Sequence, residues 1–106
     1  GGTMSVLEHA LITIRPGAEA AFEAAFAQAV PLFRTVPGCQ AVRLDRSVEH
    51  RTYVLLARWD EVADHMAFRA SPAFARWREL VASHFAAPPQ VEHLVPAVAG
   101  FGTLED

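Results

Sequence analysis

The apolar and polar positions of the first third of the chain predict a strand followed by a helix. Residues 5–15, SVLEHALITIR, carry apolar or β-branched side chains on both alternations, as in a central strand covered on two faces. Pro16 and Gly17 end this strand. In residues 18–36, AEAAFEAAFAQAVPLFRTV, apolar side chains recur at helical spacing. This pattern predicts an amphipathic helix that bends or restarts near Pro31.

The next segment has the pattern of a β-hairpin. Residues 40–48, QAVRLDRSV, alternate in polarity as in a half-exposed strand, and residues 52–59, TYVLLARW, are almost wholly apolar. The short polar run EHR at 49–51 separates them. Two strands joined by so short a turn are expected to pair antiparallel.

A helical region and a last strand complete the pattern. Asp60 is expected to cap a helix that runs over 61–85, with a kink rather than a boundary at the Ser71–Pro72 step. Residues 91–98, VEHLVPAV, predict a short strand, with Pro96 near its end or at a sheet edge. Residues 99–106 form a tail without periodicity.

The predicted order β-α-β-β-α-β indicates an α+β, ferredoxin-like fold with two helices on one face of a four-stranded antiparallel sheet. The other face of that sheet is too apolar to face water, so we expect two sheets to pack together as a homodimer, a dimeric α+β barrel. A single domain is expected over 4–98, and Gly1–Thr3 before Met4 resemble residues left by an expression tag.

Composition narrows the classes of partner. Hydrophobic residues make up 52% of the 106 residues and charged residues 20%, which argues against disorder. A formal net charge of -3 provides no basic surface for nucleic acid or an anionic membrane. Cys39 is the only cysteine, and no apolar run approaches the roughly 20 residues of a membrane span. We therefore expect a cytoplasmic protein that binds neither nucleic acid nor membrane.

The stretch YVLLARWDEVADHMAFRASPAF, residues 53–74, resembles the signature region of the antibiotic biosynthesis monooxygenase family. RPGAEAAFEAAF at 15–26 and VPGC at 36–39 are similar to the family's strand-turn-helix opening and its entry to the second strand. The resemblance covers roughly residues 4–96. It implies a dimeric α+β barrel and a cofactor-independent monooxygenase, or a relative, that acts on a small aromatic or quinone-like molecule.

The chain departs from the family pattern at positions that are often polar. Many members carry Glu two positions before the strand-end Trp and His three positions before the Ser, where this chain has Ala57 and Phe68. Members that oxidise polyketides use an Asn, and this sequence has none. The pattern of the haem-degrading branch is replaced by Ala10, Phe68 and Arg78, which disfavours that branch.

Three side chains are candidates for proton transfer. His65, near the N-terminal end of its predicted helix, would stay neutral and could act as a base, although a histidine in such a position is more often a surface residue. Tyr53 could donate to an oxyanion or could simply be buried with a backbone partner. His9 is the other candidate proton acceptor; it and His93 lie on strands expected to be neighbours and could face each other. Their spacing does not indicate a metal site, so cross-strand packing is the expectation.

The remaining candidates would bind the substrate. Trp59 could stack on a flat ring or fill the core. Arg58 could fix an acidic or phenolate substrate or lie at the surface, and inside an otherwise buried strand it should have a partner. The pocket wall is expected to include further aromatic side chains, namely Phe26, Phe68 and Trp77. No glycine-rich phosphate fingerprint is present, and no cofactor is predicted. A non-catalytic binding domain and a non-oxidative enzyme such as an isomerase stay open as alternatives.

Overall fold

A computed structural model describes residues 5–104 of the chain. In chain order the elements are β1 (Val6–Thr13), α1 (Glu19–Phe33), β2 (Cys39–Arg46), β3 (Thr52–Trp59), α2 (Val62–Arg69), α3 (Pro72–Val81), a short 3-10 helix (Ala82–His84) and β4 (Gln90–Leu94). The strands form one antiparallel sheet in the order β2-β3-β1-β4, which confirms the ferredoxin-like α+β prediction. The predicted hairpin is the β2-β3 pair, and β1 lies beside β4 as expected.

The two central strands, β1 and β3, each have one buried face and one half-exposed face. Side chains of β3 alternate strictly between buried and half-buried positions, and β1 follows the same alternation from Glu8 onwards. The buried face meets the helices, where α1 contributes Phe22, Phe26 and Phe33 to the core. We call the opposite face the outer face; on β1 and β3 it carries Leu7, His9, Leu11, Val54, Leu56 and Arg58.

Helix α1 continues through Pro31 instead of restarting there. Pro31 is exposed and lies two residues before the end of the helix at Phe33. Proline lacks the N–H that a helix interior needs, but a position so close to the end interrupts little of the helix. The helix therefore keeps one apolar face against the sheet over its whole length.

The step at Ser71 is a boundary between two helices, so the predicted single kinked helix is wrong. Ser71 has extended backbone and accepts a hydrogen bond from the N–H of Phe74 at 3.3 Å, while its hydroxyl donates to the Phe68 carbonyl at 2.6 Å. Pro72 occupies the first turn of α3, where a missing N–H costs nothing. A serine cap followed by proline therefore starts a second helix.

The start of α2 is fixed by a capping box on Glu61, not by the predicted cap Asp60. The Asp64 carboxylate accepts from the Glu61 N–H at 3.1 Å, and the Glu61 side chain accepts in return. Gly38, at the entry to β2, lies against Asp64 so closely that no side chain could fit, and its φ of +82° favours glycine. This contact anchors α2 to the sheet one residue before His65.

Strand β4 ends at Leu94, earlier than the predicted end at residue 98, since Pro96 cannot donate to a ladder. Residues 95–104, the C-terminal segment, form neither helix nor strand. Val98 and Phe101 in this segment are almost fully exposed, at 91% and 101%. Across residues 5–104, no helix is both long enough and apolar enough to cross a membrane.

Candidate functional site

A cavity of about 100 Å³ lies between the buried face of the sheet and the helices. Aromatic and aliphatic side chains form most of its wall, and its polar residues are Glu8, His65, Arg69 and Arg78. The apolar lining comprises Ala10, Ile12, Phe33, Leu55, Phe68, Phe74, Trp77, Phe85, Pro89 and Val91. Glu8 and His65 are buried, whereas both arginines are exposed. The cavity thus has a buried polar end and a cationic rim.

Four polar side chains form a continuous chain of close contacts at the buried end. The indole Nε1–H of Trp59 donates to Oε1 of Glu8 at 2.9 Å, and Nε2 of His65 lies 3.3 Å from the same oxygen. On its other side, Nδ1 of His65 lies 2.8 Å from Nε2 of His93, so one of these two nitrogens carries the shared proton. His93 is half-exposed on β4, so the chain leads from the cavity wall towards solvent.

Sheet register and helix geometry bring these residues together from four elements. Glu8 of β1 lies between Ala57 of β3 and His93 of β4 in the ladder, so all three point to the helix side. The small Ala57 leaves room there for the carboxylate. His65, on the inner side of α2, stacks on Trp59 with ring centroids 5.0 Å apart and an interplanar angle of 20°. The stack orients the His65 ring so that its Nε2 atom faces the Glu8 carboxylate.

Burial moves the two titratable groups in opposite directions. It raises the pKa of Glu8 to about 7, against the lowering effects of the Trp59 hydrogen bond and the positive charge of Arg69. It lowers the pKa of His65 to about 4, and the charges of His93 and Arg69 add to that lowering. Near neutral pH, Glu8 therefore exchanges a proton readily while His65 stays neutral.

Four of the predicted site residues belong to this region. His65, Phe68 and Trp77 line the cavity, and Trp59 supports it through Glu8 without lining it. Burial of His65 excludes the surface position weighed as its alternative. Phe26 lies behind the cavity, with its ring 6.0 Å from that of Trp77, and serves as core.

Tyr53, His9 and Arg58 lie elsewhere, contrary to expectation. The Tyr53 hydroxyl donates to Glu23 on α1 at 2.6 Å. Burial, and to a lesser extent the interaction with Glu23, raises the pKa of Tyr53 to about 12. His9 and Arg58 point to the outer face, because each is one residue out of phase with the buried alternation. His9 consequently lies opposite Glu92 rather than His93. None of the three lines the cavity.

Sequence reasoning missed Glu8, and it missed His93 as a partner of His65. Glu8 shares an alternation with Ala10 and Ile12, and a carboxylate in a buried register is itself a signal of function. The partnership of His93 with His65 depends on the packing of α2 over β4, which no local pattern shows. In the described part of the chain, no group of three or more histidine, cysteine or acidic side chains is arranged so that it could hold a metal ion.

Comparison with known proteins places this architecture in a family. The family model described as antibiotic biosynthesis monooxygenase matches residues 5–80. The uncharacterized protein YczJ of Bacillus subtilis (strain 168) is 34% identical over 90 residues, which span 83% of this chain and 95% of YczJ.

Solved structures show the same relationship. A Bordetella bronchiseptica protein described as an antibiotic biosynthesis monooxygenase is 46% identical, with a TM-score of 0.86 over 89% of this chain and 98% of its own. SnoaB, a cofactor-independent oxygenase from Streptomyces nogalater, has a TM-score of 0.76 over 90% of this chain and 95% of its own. At 22% identity, SnoaB shares the fold alone. The chain therefore belongs to the antibiotic biosynthesis monooxygenase family.

Proposed function

We propose that this protein is a cofactor-independent monooxygenase that oxidises a small, electron-rich aromatic molecule, with Glu8 as the general base. The observation that carries the proposal is the buried carboxylate of Glu8, held by Trp59 and His65 at the wall of an otherwise apolar cavity. Burying a carboxylate is costly, and its position beside a neutral imidazole suits proton transfer at physiological pH. SnoaB, with the same fold, is a cofactor-independent oxygenase, which agrees with this chemistry.

The proposed reaction needs no external electron donor. The Glu8 carboxylate removes a proton from a phenolic hydroxyl, and the electron-rich ring carbon next to the phenolate bonds to one atom of O₂. Loss of water then breaks the O–O bond and leaves a carbonyl group on that carbon. One oxygen atom enters the product and the other becomes water, and all four electrons come from the substrate. An apolar cavity suits this step because it excludes bulk water from the reactive anion.

The proton taken by Glu8 has a path to solvent. Glu8 passes it to Nε2 of His65, which releases its Nδ1 proton to Nε2 of His93. His65 thereby changes tautomer without a lasting positive charge, in keeping with its lowered pKa. His93, half-exposed on β4, returns the proton to water.

Cavity size limits the substrate. A cavity of roughly 150 Å³ holds one benzene ring, so the 100 Å³ here suits a single ring that extends into the open rim. Phe33, Phe68 and Trp77 supply flat or edge-on contacts for such a ring. We therefore favour a monocyclic quinol over a polycyclic substrate.

We also propose that the active form is a homodimer, with the outer faces of two sheets packed together. Leu11, Val54 and Leu56 are only half-buried in the single chain, and an apolar sheet face of this kind is suited to packing against a second copy. The exposed side chains of Val98 and Phe101 in the C-terminal segment would bury against the second copy. We also propose that the protein acts in the cytoplasm, because a chain with a single cysteine forms no internal disulfide and suits a reducing compartment.

Oxygen uptake tests the function directly. We expect the protein to consume O₂ with a monocyclic quinol in the absence of flavin, nicotinamide or added metal, and Glu8→Gln to lose about a hundredfold or more in kcat. Glu79→Gln, at an exposed carboxylate paired with Arg76, is the matched control and should keep the wild-type rate. Equal rates for Glu8→Gln and wild type would reject Glu8 as the base. Quinol binding without O₂ uptake would favour the alternative, a non-catalytic binding domain.

A further inference from the structure

We propose that the substrate carries an anionic group, a carboxylate, which Arg69 and Arg78 bind at the rim of the cavity. This inference rests on the proposed function and names the substrate class of the same site. Arg69 is the last residue of α2 and Arg78 lies in the last turns of α3, and both line the cavity while remaining exposed.

Neither guanidinium is engaged by the protein itself. Within residues 5–104, the guanidinium groups of Arg69 and Arg78 form no hydrogen bond or ion pair, whereas that of Arg76, on the same helix as Arg78, pairs with Glu79 at 3.2 Å. A guanidinium keeps its charge at any physiological pH and binds carboxylates through paired N–H donors. Two unengaged guanidinium groups at one opening therefore form a binding site for a carboxylate.

The charge of the cavity differs in sign from that of the whole chain. The protein has a formal net charge of -3, yet the groups that line the cavity are two cations, a neutral imidazole and one carboxyl. From the rim, the charge of Arg69 also lowers the pKa of Glu8 and of His65. An anionic ligand is thus attracted to this opening and oriented with its ring towards Glu8.

The order of residues along the cavity fits a substrate with two different ends. The buried end offers Glu8 and His65 to a phenolic hydroxyl, the middle offers aromatic walls, and the rim offers the two arginines. A single aromatic ring with a hydroxyl at one end and a carboxylate at the other satisfies all three parts. The class is therefore a monocyclic dihydroxybenzoate-type acid.

Binding of gentisate, an anionic quinol, and of gentisamide, its neutral amide, tests this class by quenching of tryptophan fluorescence under anaerobic conditions. We expect gentisate to bind about tenfold more tightly than gentisamide, and high salt to reduce the ratio. Arg69→Gln and Arg78→Gln should each lower the ratio to roughly threefold, and the double variant to near unity. Arg76→Gln is the matched control and should leave the ratio unchanged.

The outcomes separate the two proposals. Equal affinity for the two compounds, no binding of either, or a ratio that survives in the double variant would overturn the anionic class. O₂ uptake with a neutral quinol would still support the proposed monooxygenase in those cases. Conversely, the expected binding ratios without O₂ uptake by any quinol would support the carboxylate site and reject the oxidation.

Discussion

Oε1 of Glu8 lies 3.3 Å from Nε2 of His65, and both side chains are less than a tenth exposed. Because burial raises the pKa of Glu8 and lowers that of His65, the pair holds one mobile proton and no stable ion pair near neutrality. Between pH 4.5 and pH 6.5, a carboxylate and an imidazole with their ordinary pKa values would form a charged pair instead. We call Glu8 and His65 the inverted pair, because the pKa of the acid lies above that of the base, and the proposed chemistry depends on it.

The inverted pair predicts a distinctive dependence of stability on pH. The Glu8 contribution is present below its unfolded pKa of 4.5 and is lost as pH rises towards 7. The His65 contribution is present above its unfolded pKa of 6.5 and is lost as pH falls towards 4. The two effects offset each other between pH 4.5 and pH 6.5 in the wild type.

Removing one member should expose the effect of the other. In Glu8→Gln, the free energy of unfolding from urea titrations should gain a slope of up to about +1.4 kcal/mol per pH unit relative to wild type over this range. His65→Gln should gain a slope of the opposite sign. Parallel pH curves for both variants and the wild type would show that the two pKa values are not shifted in the fold.

Loss of His93 should slow proton release without weakening substrate binding. His93→Ala is expected to lower kcat by roughly tenfold and to increase the solvent isotope effect, because proton transfer becomes limiting. KM should stay at the wild-type value, since His93 does not line the cavity. Free imidazole should restore part of the rate, whereas His50→Ala, in the exposed β2-β3 turn, should match the wild type. An unchanged kcat in His93→Ala would remove His93 from the proton path.

Replacement of Trp59 should shift the pH profile. Trp59→Phe keeps an aromatic ring beside His65 but removes the hydrogen bond that lowers the pKa of Glu8. The ascending limb of the plot of kcat/KM against pH should therefore shift to higher pH by about one unit. Trp77→Phe is the control because it changes the cavity wall without a hydrogen bond to Glu8, so KM alone should change. A limb that stays in place in Trp59→Phe would contradict the assignment of that limb to Glu8.

A charge on the outer face should break the proposed dimer. Light scattering should give the wild type twice the mass of the chain, and Val54→Lys should give a folded monomer because a lysine ammonium would be buried between the sheets. Val48→Lys makes the same chemical change in the β2-β3 turn, where the side chain is 92% exposed, and should stay dimeric. A wild-type monomer at micromolar concentration would rule out the dimer.

The sequence alone determined the fold, because its patterns are local and strong. Alternation over residues 52–59, helical spacing in α1 and turn residues between elements fixed the strand and helix order, and family motifs agreed with it. The helix boundary at Ser71 was missed because a serine cap and a kink look alike without backbone geometry. The sequence identified His65 as a candidate from its position on the helix, but it did not predict that this side chain is buried.

Only the tertiary structure decided which polar groups meet. His9 and Glu8 are neighbours in sequence, yet the period of two in a strand sends them to opposite faces, and register places Glu8 beside Ala57 and His93. The family's frequent glutamate position is Ala57 here, and the carboxylate comes from the adjacent strand instead. Such contacts depend on pairing and helix packing across more than 25 residues of chain, so no local pattern in the sequence could have shown them.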